Sequence, residues 1–235
     1  MGRPARPGRE ASGTQARGSE RITTVRAVVE YDGTRFCGLQ YQPSVRTVAG
    51  ELERALRSLL QHGVKITAAG RTDAGVHATG QVVSFKTQAA FPFDRLAIAL
   101  NTSLPGDVRV RDVTLVDDRF SARFSARERA YVYAIHASAQ PSALLARYAY
   151  HVWRPIDIDA FTAGARALIG EHDFRSFCGM LPESGPTIRT VKFLGVQRRG
   201  DLVRVEVRAD GFLHRMVRTI VGTLVECATG RRDAA

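Results

Sequence analysis

The chain has 235 residues, 44% of them hydrophobic and 24% charged, which is ordinary globular usage and enough to bury a core without metal or disulfide staples. No apolar run approaches the ~18 residues of a membrane span and the N-terminus has no apolar signal core, so neither a membrane protein nor an exported one is expected. The net charge of +11 points to a polyanionic partner, most often nucleic acid. Only Lys65, Lys86 and Lys192 are lysines; the other 31 basic residues are arginines, whose planar fork grips phosphate and stacks on bases. A coding bias yields the same excess, so composition names a class of partner and no reaction. Cys37, Cys178 and Cys227 are odd in number and far apart, which suits a reducing cytoplasm and predicts neither disulfides nor a zinc site.

Residues 1–21 read as a disordered basic tail, rich in Gly, Pro, Ser and Arg and without apolar periodicity. It carries +3 of the charge and leaves +8 for the folded part. Two units follow, 22–118 and 119–235. In the first, Val25, Ala27, Val29 and Tyr31 alternate as a strand that Asp32-Gly33 ends in a turn. Val48, Leu52, Ala55, Leu56, Leu59 and Leu60 recur at helical spacing, with Gly63 as a stop. Residues 64–69 and 81–87 read as strands around a glycine-rich loop. Phe93, Leu96, Ala97 and Leu100 predict a second helix ended by Pro105-Gly106, and 108–116 another strand. The order β-α-β-β-α-β is the split βαβ pattern, an antiparallel sheet with helices on one face.

The second unit repeats this grammar. Residues 131–136 predict a strand and 148–153 a further one. Phe161, Ala165, Leu168 and Ile169 mark a helix with Asp157 or Asp159 as its cap. Residues 190–198 and 202–209 predict a hairpin across Arg199-Gly200-Asp201. Leu213, Met216, Val217, Ile220, Val221 and Leu224 give a helix with a wide apolar stripe, and Gly230 its stop. If the two units share one pattern, the second lacks a final strand. The expected fold class is α+β: two split-βαβ, ferredoxin-like halves, a mainly antiparallel central sheet and a cleft between the halves.

One stretch carries chemistry: Gly70-Arg71-Thr72-Asp73-Ala74-Gly75-Val76-His77-Ala78-Thr79-Gly80-Gln81. Its three glycines mark a tight loop where backbone comes close to something, and two strands hold it rigidly. Arg71 lies two residues before Asp73. An arginine so close can hold the carboxylate ionised and oriented, ready to act as nucleophile or base. A structural Arg–Asp pair that braces a turn has the same spacing. His77 reads as a loop histidine, and no second His or Cys at ligand spacing supports a metal.

The block from Gly70 to Gln81 resembles the signature of the tRNA pseudouridine synthase A family. So do Glu30-Tyr31-Asp32-Gly33 with Phe36-Cys37-Gly38-Leu39-Gln40, and Asn101-Thr102-Ser103-Leu104-Pro105-Gly106-Asp107. Further on come Ala122-Arg123-Phe124-Ser125-Ala126 with Tyr131-Val132-Tyr133, then Gly170-Glu171-His172-Asp173-Phe174, then Gly211-Phe212-Leu213-His214-Arg215-Met216-Val217-Arg218. The likeness runs from about residue 24 to 230 in the family's order. It departs at Leu39, where the family commonly has Trp, at Ser84 and Ser121, where His is common, and at Ala130, where Arg often precedes the tyrosine.

The resemblance implies a pseudouridine synthase fold and the isomerisation of uridine at positions 38 to 40 of the tRNA anticodon stem-loop, in the cytoplasm, by a homodimer. It implies Asp73 as nucleophile, Arg71 as its ionic partner and Tyr131 as the aromatic face against the target base. Arg123, Arg127, Arg129, Arg215 and Arg218 become phosphate contacts. Atoms balance in this reaction, so no cofactor or metal is implied. A carboxylate can trap C1′, add to uracil C6 or take a sugar proton, and the residues do not choose among these. The rival expectation is a catalytically impaired RNA-binding relative that lacks the last active-site strand. A hydrolase built on Asp73 is disfavoured, because the motif has no second carboxylate.

Overall fold

The computed structural model describes residues 22–181 and 185–232; the tail expected over 1–21 lies outside the described residues. Alternation builds the first sheet. In β1 (Thr23–Tyr31) the residues Val25, Ala27, Val29 and Tyr31 are all buried. β3 (Ala78–Thr87) and β4 (Val108–Val116) pair with β1 on either side, both antiparallel. A short β2 (Thr67–Ala68) adds to β3, so the order is β2-β3-β1-β4. α1 (Val48–Leu60) and α2 (Leu96–Ser103) place Leu52, Leu56, Leu96 and Leu100 in one core with the β1 side chains. Each such leucine stabilises the fold by about 1.5–3 kcal/mol. Thr47 caps α1 through Gly50 N–H, and the helix closes on Gln61 in the left-handed region, two residues ahead of the expected Gly63.

The strand expected over 64–69 is largely absent, and the reason is local. Ile66 N–H donates to the Glu53 carboxylate on α1 at 3.0 Å, so that amide leaves the ladder and only Thr67 and Ala68 pair with β3.

The second sheet runs β6-β5-β9-β8-β7. Its strands are β5 (Arg129–Ala137), β6 (Tyr150–Val152), β7 (Gly170–Asp173), β8 (Ile188–Arg199) and β9 (Leu202–Ala209). All neighbours are antiparallel except β5 and β6. α4 (Ile158–Ala167) and α5 (Met216–Ala228) cover one face, where Phe161, Phe174, Met216 and Ile220 meet Ile135, Val205 and Val207. Asp157 is the α4 cap, accepting from Asp159 and Ala160 amides. The β8–β9 hairpin turns at Gly200 with φ +57°.

Periodicity does not predict β7 or α3. β7 is Gly-Glu-His-Asp, with no apolar alternation to reveal it. α3 (Ala122–Ser125) is a single turn whose Ala122 N–H donates to the buried Ser84 hydroxyl at 3.0 Å. α5 begins at Met216 rather than Leu213, because Arg215 adopts φ +58° and breaks the helical path.

Candidate active site

The loop between β2 and β3 carries Asp73, and the segment after β1 supports it from behind. Leu39 N–H donates to Thr72 O at 3.0 Å and Gly75 N–H to Phe36 O at 3.3 Å. The Thr72 hydroxyl bonds the Tyr31 phenol at 2.8 Å in a buried contact. Glycine is required at two places. A Cβ on Gly33 would stand 2.0 Å from Val76 O, and one on Gly38, itself at φ +93°, 2.8 Å from Thr72 O. Gln81 donates to Gly70 O at 2.9 Å and closes the loop's base. Thr72 therefore faces inward, with the exposed Arg71 and the half-buried Asp73 on either side of it.

The expected Arg71–Asp73 bridge is not formed: among the described residues no ion pair within 4.0 Å joins them. Thr72's tertiary bonds brace the turn instead. The Arg71 main chain has a different contact. Its carbonyl accepts the Tyr131 hydroxyl at 3.5 Å.

Tyr131 projects from β5, with Phe212 edge-on at 5.1 Å. Burial first, then the negative charges of Tyr31 and Asp73, pushes its phenol up to about 12. It is thus a neutral aromatic face and an O–H donor at any physiological pH. Burial also raises the Tyr133 phenol, against the opposing charge of Arg218.

Asp73, Arg71, Tyr131, Arg123, Arg215 and Arg218 all line one cleft of about 1630 Å³. Arg218 reaches from α5 towards the loop, with Nη2 3.5 Å from Ala74 O. Arg215 lies over Gly179, where a Cβ would come within 3.2 Å of its own Cβ. Its left-handed backbone is the kind of strain that surrounding structure holds at functional sites. Seven arginines and Lys65 line the cleft against Glu53, Asp73 and Asp210. Arg127 is exposed and outside this lining. Arg129 lies inside it, but its guanidinium is turned to main-chain oxygens, so it is not a free phosphate contact.

Sequence reasoning missed Arg147, Tyr148, Arg189 and Phe212, which also line the cleft. Phe212 lies in the motif from Gly211 to Arg218, whose resemblance assigns it no role. Arg147 and Tyr148 lie in the connection before β6, which begins at Tyr150 rather than at the expected Tyr148. There Tyr148 O–H donates to Asp32 Oδ2 at 2.9 Å, and His77 Nε2 lies 3.1 Å from Arg147 O. His77 Nδ1 lies 3.0 Å from Asp32 Oδ1. Asp32 is held down to about 2, first by the Thr34 hydroxyl, with Tyr148 and His77 adding to it.

A family model described as tRNA pseudouridine synthase matches residues 27–125 and 165–235. A tRNA pseudouridine synthase A of Halalkalibacterium halodurans is 45% identical over 207 residues, 88% of this chain and 79% of the relative. One of Brevibacillus brevis is 44% identical over 211 residues, covering 90% and 86%. One of Shewanella denitrificans is 42% identical over 204 residues, covering 87% and 78%. With an Asp73 loop opposite Tyr131 in an arginine-lined cleft, and matches of this extent, the chain belongs to the tRNA pseudouridine synthase family.

Proposed function

We propose that this protein isomerises uridine to pseudouridine in tRNA, at positions 38 to 40 of the anticodon stem-loop. The observation that carries the reading is Asp73, presented on a braced loop into a basic cleft, facing a protonated Tyr131. The N1–C1′ bond breaks, the uracil turns, and a C5–C1′ bond forms. The C5 proton leaves and N1 gains one, so the atoms balance without a co-reactant.

Asp73 supplies the carboxylate that starts the exchange, at C1′, at C6 or by taking a sugar proton. We assign Arg71 to pairing with it in the substrate-filled cleft. Reaching the uridine means taking it out of its stack, at a cost of a few kcal/mol. Tyr131 offsets part of this by stacking, worth about 1–3 kcal/mol per base. Arg123, Arg215 and Arg218 hold phosphates, which positions the RNA and makes binding salt-sensitive.

The half at 22–118 brings the nucleophile and the half at 119–235 brings the aromatic face and most of the arginines. We further infer a homodimer working in the cytoplasm. Among the described residues no helix is long and apolar enough to cross a membrane.

The test is release of tritium from C5-tritiated, unmodified tRNA. The intact protein is expected to release it, and Asp73→Ala to bind tRNA without release. Binding without release by the intact protein would instead support the RNA-binding relative. Sedimentation velocity, expected to show twice the chain mass, tests the dimer.

A further inference from the structure

We propose that Arg129 is a positioning residue that holds the Asp73 loop, the Phe212 loop and Arg123 in register around Tyr131. This rests on the function proposed above. Arg129 opens β5, two residues before Tyr131 on the same side of the strand. Each of its three guanidinium nitrogens donates to a main-chain oxygen from a different segment. Nε bonds Ala69 O at 2.8 Å, Nη1 bonds Asp210 O at 2.6 Å, and Nη2 bonds Arg123 O at 3.0 Å.

The three acceptors stand at informative places. Ala69 immediately precedes the loop that carries Arg71 and Asp73, and its own N–H is fixed to Val82 O at 2.9 Å. Asp210 follows Ala209, the ladder partner of Arg129, and precedes Gly211 and Phe212, whose ring packs on Tyr131. Arg123 is on α3, anchored through Ala122 to β3. The sheet ladders end here, and one side chain replaces them. The Arg129 side chain packs beside Gly70, where a Cβ would stand in ordinary contact at 3.8 Å from its Cδ and Nε.

A planar fork is needed for this role. Guanidinium presents donors in several fixed in-plane directions, whereas the lysine ammonium is a compact point charge at the end of a flexible stem. Lysine at this position keeps the charge and loses the three-way link. Reacting groups depend steeply on such supports, since misplacement by about 1 Å can lower a rate on the order of 100-fold.

The experiment compares wild type with Arg129→Lys in single-turnover tritium release and in tRNA binding across a salt series. Hydrogen exchange of the amides from Gly70 to Val76 is followed in the same samples. The expected result is a rate lower on the order of 100-fold, tRNA affinity within about twofold and an unchanged salt slope, and faster exchange in the loop. A wild-type rate in the variant overturns the proposal. So does a loss carried by affinity with a shallower salt slope, which would make Arg129 a phosphate contact. If wild type releases no tritium, the function reading fails on its own. Loop exchange then decides the link, and unchanged exchange overturns it. Should Arg129→Lys not fold, Arg129→Gln is put through the same measurements.

Discussion

Gly38→Ala tests whether the segment after β1 sets the position of the catalytic loop. The added methyl meets three main-chain atoms: Thr72 O at 2.8 Å, and Ala74 N and Asp73 C at 3.4 Å. The backbone at φ +93° costs an L-residue about 1–2 kcal/mol. Thr72 O must also retreat by about half an ångström to reach ordinary contact distance. That carbonyl accepts Leu39 N–H at 3.0 Å, and weakening the bond costs about 1 kcal/mol. The total is about 2–3 kcal/mol, below the 5–15 kcal/mol typical of a domain, so the variant stays folded. Thr72 is the residue before Asp73, so its retreat moves the carboxylate. With about 1 Å worth roughly 100-fold, half that shift predicts a fall in single-turnover rate of about tenfold. Urea unfolding followed by circular dichroism gives the first number and tritium release the second. A variant within about 0.5 kcal/mol of wild type and equal in rate would refute the support described for this loop.

Thr72→Val keeps the shape but leaves the buried Tyr31 phenol without the hydroxyl 2.8 Å away. It should cost about 1–3 kcal/mol, with Tyr31→Phe recovering part of this in a double-mutant cycle; additive losses would show that the bond contributes nothing. Asp32 governs an acid response. Its folded pKa of about 2 lies below its ordinary 3.8, so its contribution is complete above about pH 4 and lost as pH falls through about 2. The side chain is 37% exposed, and solvent screening reduces the contribution to about 1 kcal/mol. Asp32→Asn should flatten the stability–pH curve between these values; a wild-type slope would remove Asp32 from it.

What the sequence makes legible is what periodicity controls. β1, α1 and the β8–β9 hairpin each carry an apolar face long enough to read. β7 is polar throughout and exists because β8 offers it a partner. α3 is too short for helix propensity to specify, and a side-chain bond to Ser84 holds it. The site divides the same way. Glycine spacing marks the loop, and of the eight residues given a role seven line one cleft while Arg127 lies outside it. The Arg71–Asp73 bridge did not form because sequence proximity does not fix direction. Thr72, pinned to Tyr31 and Leu39, sets where its neighbours point.

The arginine excess becomes specific once each guanidinium is placed. Arg46 is bidentate on Asp107 at 2.7 and 2.8 Å and also bonds Glu51; Arg129 is turned to three carbonyls. Arg26, Arg111, Arg204 and Arg208 are matched by carboxylates on or beside their sheets. Among the described residues Arg71, Arg123, Arg147, Arg189, Arg215 and Arg218 have no ion pair within 4.0 Å, and all six line the cleft. Composition counts paired and unpaired arginines alike, although those without an ion pair among the described residues, in the cleft and also elsewhere, such as Arg57, Arg95, Arg127 and Arg166, leave their field uncancelled. A low-dielectric cleft wall concentrates that field where a polyanion would enter. The pull on RNA at the site therefore rests on six guanidiniums that line one cleft without an ion pair, and the net charge alone does not show where they stand.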